Sequence, residues 1–340
     1  MTAPARARSS AVFAVLGVGL LLAVFAGVGF GAVSVGPSEV AGALGRALSG
    51  ESAGARDALI VDVRLPRVVL AALVGACLSG AGVLYQALFR NPLADPYILG
   101  VSSGAGLGTI LVLVLTAEAT ALRYVGVPVG SFAGAALTIA LVTRLASSRG
   151  RLDTASLLLA GVAISYTLSA VTSFVMVFAR ESMTRVVFWM MGGLSGASWP
   201  YVLAVTPMFL AGAVVPLLDR RSLNLMLLGD ERASHLGVDV EVLKRRVLAS
   251  GSLLVAAAVA VSGLVGFVGL MVPHMVRLVL GPDHRTLVPA SVLGGAIVMV
   301  LADLLARTLL APVELPVGIV TALAGGPFFV WLLVRKDDRR

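Results

Sequence analysis

Ten times between residues 11 and 334 the chain runs through 16–24 mostly apolar residues before a charged, proline or glycine break interrupts it. The runs cover 11–33, 66–88, 101–117, 125–146, 155–178, 199–217, 247–262, 264–280, 287–309 and 316–334. At 1.5 Å of rise per helical residue, each reaches most or all of the way across a hydrocarbon layer roughly 30 Å thick. Backbone in lipid must satisfy its donors and acceptors within its own segment, so such runs fold as helices. Composition agrees: 58% of the residues are apolar and 13% charged, where soluble domains carry about 25% charge. The expectation is an all-α polytopic membrane protein with about ten transmembrane helices. The longest polar stretches, 35–63 and 218–246, are too short for a core of their own, so residues 1–340 read as one transmembrane domain.

Arg6 and Arg8 precede the first run and imitate a secretory signal. The run is longer than the 7–15 residues, roughly, of a signal core, and is read as a first span with its N-terminus inside. An even number of spans then places both termini in the cytoplasm. Arg and Lys between the runs favour this orientation by about two to one, as cytoplasmic loops collect them. The minority outside is Arg46, Arg56, Arg64, Arg67, Arg123, Arg180, Arg185 and Arg307. The net charge of +8 is thus topological. Charges scattered between apolar runs form no stripe for nucleic acid. Cys77, the single cysteine, lies within a run and offers neither a disulfide nor a metal cluster.

Pro37-Ser38-Glu39 ahead of Val40, Leu44 and Leu48 predicts a short capped amphipathic helix at the outer surface. Gly100, Gly104 and Gly108, and likewise Gly130 and Gly134, recur at four-residue spacing. That spacing lets helix backbones approach where lipid removes the hydrophobic drive to pack. The stretches 82–108 and 263–295 echo each other weakly, each a glycine-rich run, a break with Pro and Asp, and another run. Such an echo suits two related halves.

Several chemistries are missing. A P-loop needs a lysine directly after a glycine, but Lys244 and Lys336 follow Leu243 and Arg335. No HExxH and no Cys/His cluster occurs, so a membrane-embedded enzyme is disfavoured. Proton-coupled carriers place acids near mid-membrane. Here the candidate is Asp303, with Arg307 four residues on along the same face as its neutralising partner. Glu118 and Glu314 fall at the ends of runs.

The most specific stretch is RLPRVVLAALVGACLSGAGVLYQALFRNPLADPYILG, residues 64–100, followed by Val101-Ser102-Ser103-Gly104-Ala105-Gly106. With it come GDERASHLGV at 229–238, GFVGLMVPHMVR at 266–277, Asp283-His284-Arg285, Ala302-Asp303, Ala306-Arg307 and ELPVGIVT at 314–321. In this order, over roughly residues 60–334, the chain resembles the FecCD, or BtuC-like, permease family of iron-siderophore, haem and cobalamin importers driven by ATP-binding-cassette (ABC) ATPases. The resemblance implies a type II importer permease in the cytoplasmic membrane. It would work as a homodimer, or as a heterodimer with a related permease. Two separate ATPase subunits would carry the ATP and Mg, and an extracytoplasmic binding protein would deliver cargo. The chain itself is then expected to bind no cofactor and no metal, and to catalyse nothing.

The resemblance also distributes roles. Segment 229–238, with Gly229, Asp230, Glu231, Ala233, Leu236 and Gly237, matches the coupling segment that docks on the ATPase. Its own residues read as a short helix with acids at its start and a glycine at its end. Arg64, Arg67 and Arg307 match positions that meet carboxylates of the binding protein, a task that suits a planar guanidinium fork. Asn91-Pro92-Leu93-Ala94-Asp95-Pro96 cannot continue a helix. It leads into Ser102, Ser103 and Gly104, which with Ser165 and Ser169 are candidates for the translocation path; Thr154, Ser156, Thr167 and Thr172 add hydroxyls to the same fifth run. The expected cargo is a ferric siderophore, with haem or cobalamin as alternatives. An ion-gradient-driven carrier is the rival from another class.

Overall fold

Polarity in this chain is inside out. Leu, Val and Phe side chains lie exposed along most helices, while Ser79, Gln86, Thr109 and Asp303 are buried at 0–1% exposure. Such a surface suits lipid as the solvent. The structure, a computed structural model, describes residues 3–31, 34–49, 54–116, 120–148, 151–178 and 183–337. Glu118, Arg149, Arg180, Arg339 and Arg340 lie outside the described residues.

Helix α1 spans Ala3–Gly29 and α2 Pro37–Ser49. A continuous helical stretch follows, made of α3 (Ala55–Ala58), a π-helical turn at Leu59–Arg64 and α4 (Leu65–Leu88). Next come α5 (Val101–Leu115) and α6 (Thr120–Ala146), then a two-residue ladder of β1 (Ser147–Ser148) with β2 (Arg151–Leu152), then α7 (Thr154–Phe178) and α8 (Met183–Met190). The remainder is α9 (Trp199–Leu218), α10 (Arg220–Met226), α11 (Asp230–His235), α12 (Val240–Ser262), α13 (Val268–Leu280), α14 (His284–Thr308) and α15 (Val317–Asp337). Among the described residues, seven helices are long and apolar enough to cross a membrane, and three shorter apolar ones fall at 101–115, 268–280 and 317–332. A helix thus lies on each of the ten apolar runs, and the all-α polytopic architecture follows.

Three departures have physical reasons. The helix containing the second run starts eleven residues early, at Ala55. Asp57, Asp62 and Arg64 hide that extension from an apolarity criterion, and ion pairing makes it tolerable: Arg46 Nε and Nη2 each donate to Asp57 at 2.8 Å. Helix α8 has no run of its own. The start of α13 waits until Val268 because the Gly263–Phe267 stretch leaves the helix, with Gly263 at φ +64° and Phe267 at φ +68°. The predicted α2 does form, and Glu39 Oε2 reaches back to the Gly36 N–H at 3.1 Å, half of a capping box.

The core is built on α4, α12 and α14. Of their most apolar windows, 83%, 72% and 61% respectively are buried, against 17–22% for α1, α6, α7 and α9. Glycines set the contact distances. A Cβ on Gly75 would strike the Gly295 carbonyl of α14, and one on Gly82 the Gly269 carbonyl of α13. Gly104 and Gly108 of α5 meet Gly134 and Gly130 of α6 in antiparallel register.

Two non-helical stretches, 89–100 and 263–267, meet inside the bundle. The Tyr97 hydroxyl donates to the Val265 carbonyl at 3.1 Å and accepts from the Val265 N–H at 3.3 Å. One side chain thereby satisfies both backbone groups of a residue that has left its helix, which is how broken backbone survives within a bundle in lipid. Pro96 packs on Gly269 beside it.

Candidate functional site

The chain has two polar ends. At the α11 end, Gly229 adopts φ +105° and starts a helix of six residues. That helix stops in a Schellman motif: the Val238 N–H donates to the Ala233 carbonyl at 3.1 Å and the Gly237 N–H to the Ser234 carbonyl at 2.9 Å. Gly237 takes the left-handed φ of +87° the motif requires. Ala233 is the single residue of α11 turned fully inward. Glu231, Arg232, Ser234 and His235 face outward, as do Leu228 and Leu236, 51% and 57% exposed. Asp230 points back into the protein, with Oδ2 2.6 Å from Lys244 Nζ and Oδ1 3.7 Å from Arg90 Nη2.

The sequence offered no reason to single out Arg90 or Lys244. The available signal was Glu241 three residues before Lys244 on one helix face. Beside α11 lies a groove of about 960 Å³ whose wall includes Asp153, Asp230, Glu231, Asp239, Glu241 and Lys244. The Asp153 carboxylate accepts from Ser156 Oγ and N at 2.8 Å. The Ser156 hydroxyl is the main cause that holds its pKa below the usual carboxylate range, and Lys244 contributes. At the same end Asn224 of α10 donates to Asp283 at 2.7 Å, while its carbonyl oxygen lies 2.8 Å from both the backbone nitrogen and Nδ1 of His284. The segment that leads into α11 is thereby fastened to the start of α14.

At the α2 end the three arginines expected to face a binding protein converge on one another. Arg67 Nε donates to Asp303 Oδ1 at 3.0 Å, and its Nη1 and Nη2 to Glu314 at 3.1 and 3.0 Å. Arg307 Nε forms an ion pair with Asp303 Oδ2 at 3.1 Å. The Arg307 Nη atoms donate to the carbonyls of Gly27 at 2.7 Å and Phe30 at 3.3 Å, and Arg64 Nη1 to those of Val28 at 2.8 Å and Gly29 at 3.1 Å. Two guanidiniums therefore occupy carbonyls at the C-terminal end of α1, where an unpaired helix end carries partial negative charge. Arg64 and Arg307 are 5% and 9% exposed. All three forks are engaged within the chain, and the half-exposed member of the cluster is Glu314.

Between the ends, α5 begins at Gly100, whose φ is +79° and whose Cα faces Ser165 Oγ and the Gly161 carbonyl of α7. Ser103 and Ser169 bring their hydroxyls within 3.4 Å. Ser165 donates to its own Gly161 carbonyl at 2.7 Å, and Ser102 is half-buried. Gly104 turns away from this group and packs on Gly134 and Thr138 of α6. Further along α7, Tyr166, Thr167, Ser169 and Ser173 form an exposed polar flank.

The chain is similar to several known proteins. The FecCD transport family matches residues 19–335. The cobalamin import system permease BtuC of Halobacterium salinarum is 46% identical over 281 residues, 83% of this chain and 74% of that protein. The hemin transport system permease HmuU of Yersinia pestis is 44% identical over 283 residues, 82% of this chain and 84% of its own. A metal-chelate type ABC transporter solved in an inward-facing conformation superposes with a TM-score of 0.84 at 32% identity, covering 96% of this chain and 99% of that one. The chain belongs to the FecCD transport family, the permeases of ABC importers.

Proposed function

We propose that this permease is the membrane half of an importer worked by two separate ABC ATPase subunits, which dock on α11, and that its cargo is a ferric siderophore. The observation that carries the reading is the exposure of α11. A six-residue helix with a single inward residue, bare leucines at both ends and outward charges is a surface prepared for another protein. On this reading α11 is cytosolic, as are both termini. The pathway lies between two copies of the chain, or between this chain and a close relative, with α7 and the Ser103–Ser169 pair on its wall. An external binding protein docks over Arg64, Arg67 and Arg307, and a carboxylate from that partner would take the place of Glu314 on Arg67.

A metal chelate as cargo is supported by the metal-chelate transporter among the structural relatives, while the cobalamin and hemin permeases keep those two chelates as alternatives. The ion-coupled rival is disfavoured by Asp303, which is paired with the guanidiniums of Arg67 and Arg307 at 3.0 and 3.1 Å rather than standing alone as a proton carrier. The test is uptake into proteoliposomes that hold this chain, its ATPase subunits and its binding protein. Radiolabelled ferric siderophore accumulates only with ATP inside the cytosolic-side compartment, and excess haem or cobalamin does not compete. Uptake on a proton or sodium gradient without the ATPase overturns the importer reading. Preference for haem or cobalamin moves the cargo to that chelate.

A further inference from the structure

Lys244 on α12 is a buried cation, 4% exposed, with donors that reach three parts of the chain. Its Nζ lies 2.6 Å from Asp230 Oδ2, at the first residue of α11. It also donates to the Leu152 carbonyl at 3.1 Å and stands 3.9 Å from Glu241 Oε1. Glu241 completes the ring, because its Oε2 accepts the Leu152 N–H at 2.8 Å. Both backbone groups of Leu152 are therefore gripped by side chains of α12, and Leu152 stands two residues before the start of α7.

We propose that Lys244 is a positioning residue that couples α11 to α7, so that a displacement of α11 by the ATPase moves the helix bearing Ser165 and Ser169. The proposal rests on the reading of α11 as the ATPase contact. Its physical basis is stiffness. A helix of six residues is far below the roughly 12–15 needed to hold itself, so its position is set by what grips it. Exposed ion pairs grip weakly, since water competes for both partners. A buried ammonium that loses one acceptor is left undersatisfied out of water, so its contacts persist together or fail together. Leu152 receives that grip through backbone atoms, with no flexible side chain to absorb a shift. Arg90, two residues past the end of α4, holds the other oxygen of Asp230 at 3.7 Å but is more exposed, so Lys244 is the tighter of the two links.

The test uses the complete importer in proteoliposomes, with Lys244→Met to delete the charge at similar length. ATPase subunits are expected to co-purify at the wild-type ratio, and ATP turnover to stay within about twofold, while cargo delivered per ATP falls at least about tenfold. Lys244→Arg, which keeps a cation, is expected to recover most of that loss. Spin labels on α7 and α11, at Ser156→Cys and His235→Cys with Cys77→Ala, give a geometric readout that a purely structural role would not move. Their separation stays constant between nucleotide-free and ATP-bound wild type, and changes with ATP in Lys244→Met.

Unchanged cargo per ATP in Lys244→Met, or a separation that already changes with ATP in the wild type, overturns the proposal. Where Lys244→Met does not assemble, Asp230→Asn carries the same expectation for cargo per ATP, and an unchanged value there overturns it. A cross-link from Leu236→Cys to the ATPase subunit tests the underlying contact separately. Its absence in the wild type removes that contact, and the proposal with it.

Discussion

Arg307 holds together three parts of the chain that are far apart in sequence: Asp303 on its own helix, the end of α1 through Gly27 and Phe30, and through Asp303 the start of α4 at Arg67. Arg307→Ala leaves part of a 1%-exposed carboxylate uncompensated and reopens two carbonyls of α1. Breaking a buried charge pair by removing one partner costs about 3–5 kcal/mol. The melting midpoint in detergent should therefore fall clearly for Arg307→Ala and less for Arg307→Lys, which keeps charge but loses the fork. An unchanged midpoint in Arg307→Ala would mean that the cluster is solvated and that its contacts carry little. The Asp303–Arg307 pair was legible from i, i+4 spacing. Arg67 and Glu314 as further members were not, because 236 and 247 residues separate Arg67 from its two acids. Nor did the chemistry of arginine reveal that these forks close inward on backbone carbonyls. A family resemblance supplies a role for a side chain; its partners are decided by packing.

Among the elements, glycine position rather than glycine content governs the fit. Gly82→Ala drives a Cβ into the Gly269 carbonyl, a backbone atom with no rotamer by which to escape. Overpacking of this kind costs about 1–3 kcal/mol and pushes α4 off α13. Gly106→Ala is the matched control: nothing lies within 4 Å of its added Cβ, and the relief of glycine's backbone entropy gains about 0.5–1 kcal/mol. Thermal unfolding of the two variants should shift in opposite directions, and a shared direction would refute the contact assignment. Four-residue glycine spacing did point to the α5/α6 approach through Gly104, Gly108, Gly130 and Gly134. Helix α8 and the early start of the helix at Ala55 escaped a reading based on apolar runs, because amphipathic and ion-paired turns owe their stability to tertiary neighbours.

Over the whole molecule, the surface between the two polar ends is apolar along most helices and carries a polar flank on α7, and the two should differ in their access to water. In the assembled importer, Ser169→Cys is expected to react with a charged, membrane-impermeant thiol reagent. Leu210→Cys on α9, 59% exposed to what would be lipid, should stay unlabelled, and the buried Cys77 is silent in both. Equal labelling at the two sites would remove α7 from the pathway wall. The sequence by itself determined the class of this protein: run length, scarce charge and the demand of lipid for internally satisfied backbone are local properties, and they suffice for an all-helical membrane bundle. It also placed α11 and the break after Leu88, since glycine, proline and capping signals act within a few residues. Only the tertiary structure decided what Lys244, Tyr97, Arg64, Arg67 and Arg307 touch. Each works across more than ten, and in places more than two hundred, residues of intervening chain, where no periodicity can reach and only packed helices bring the partners together.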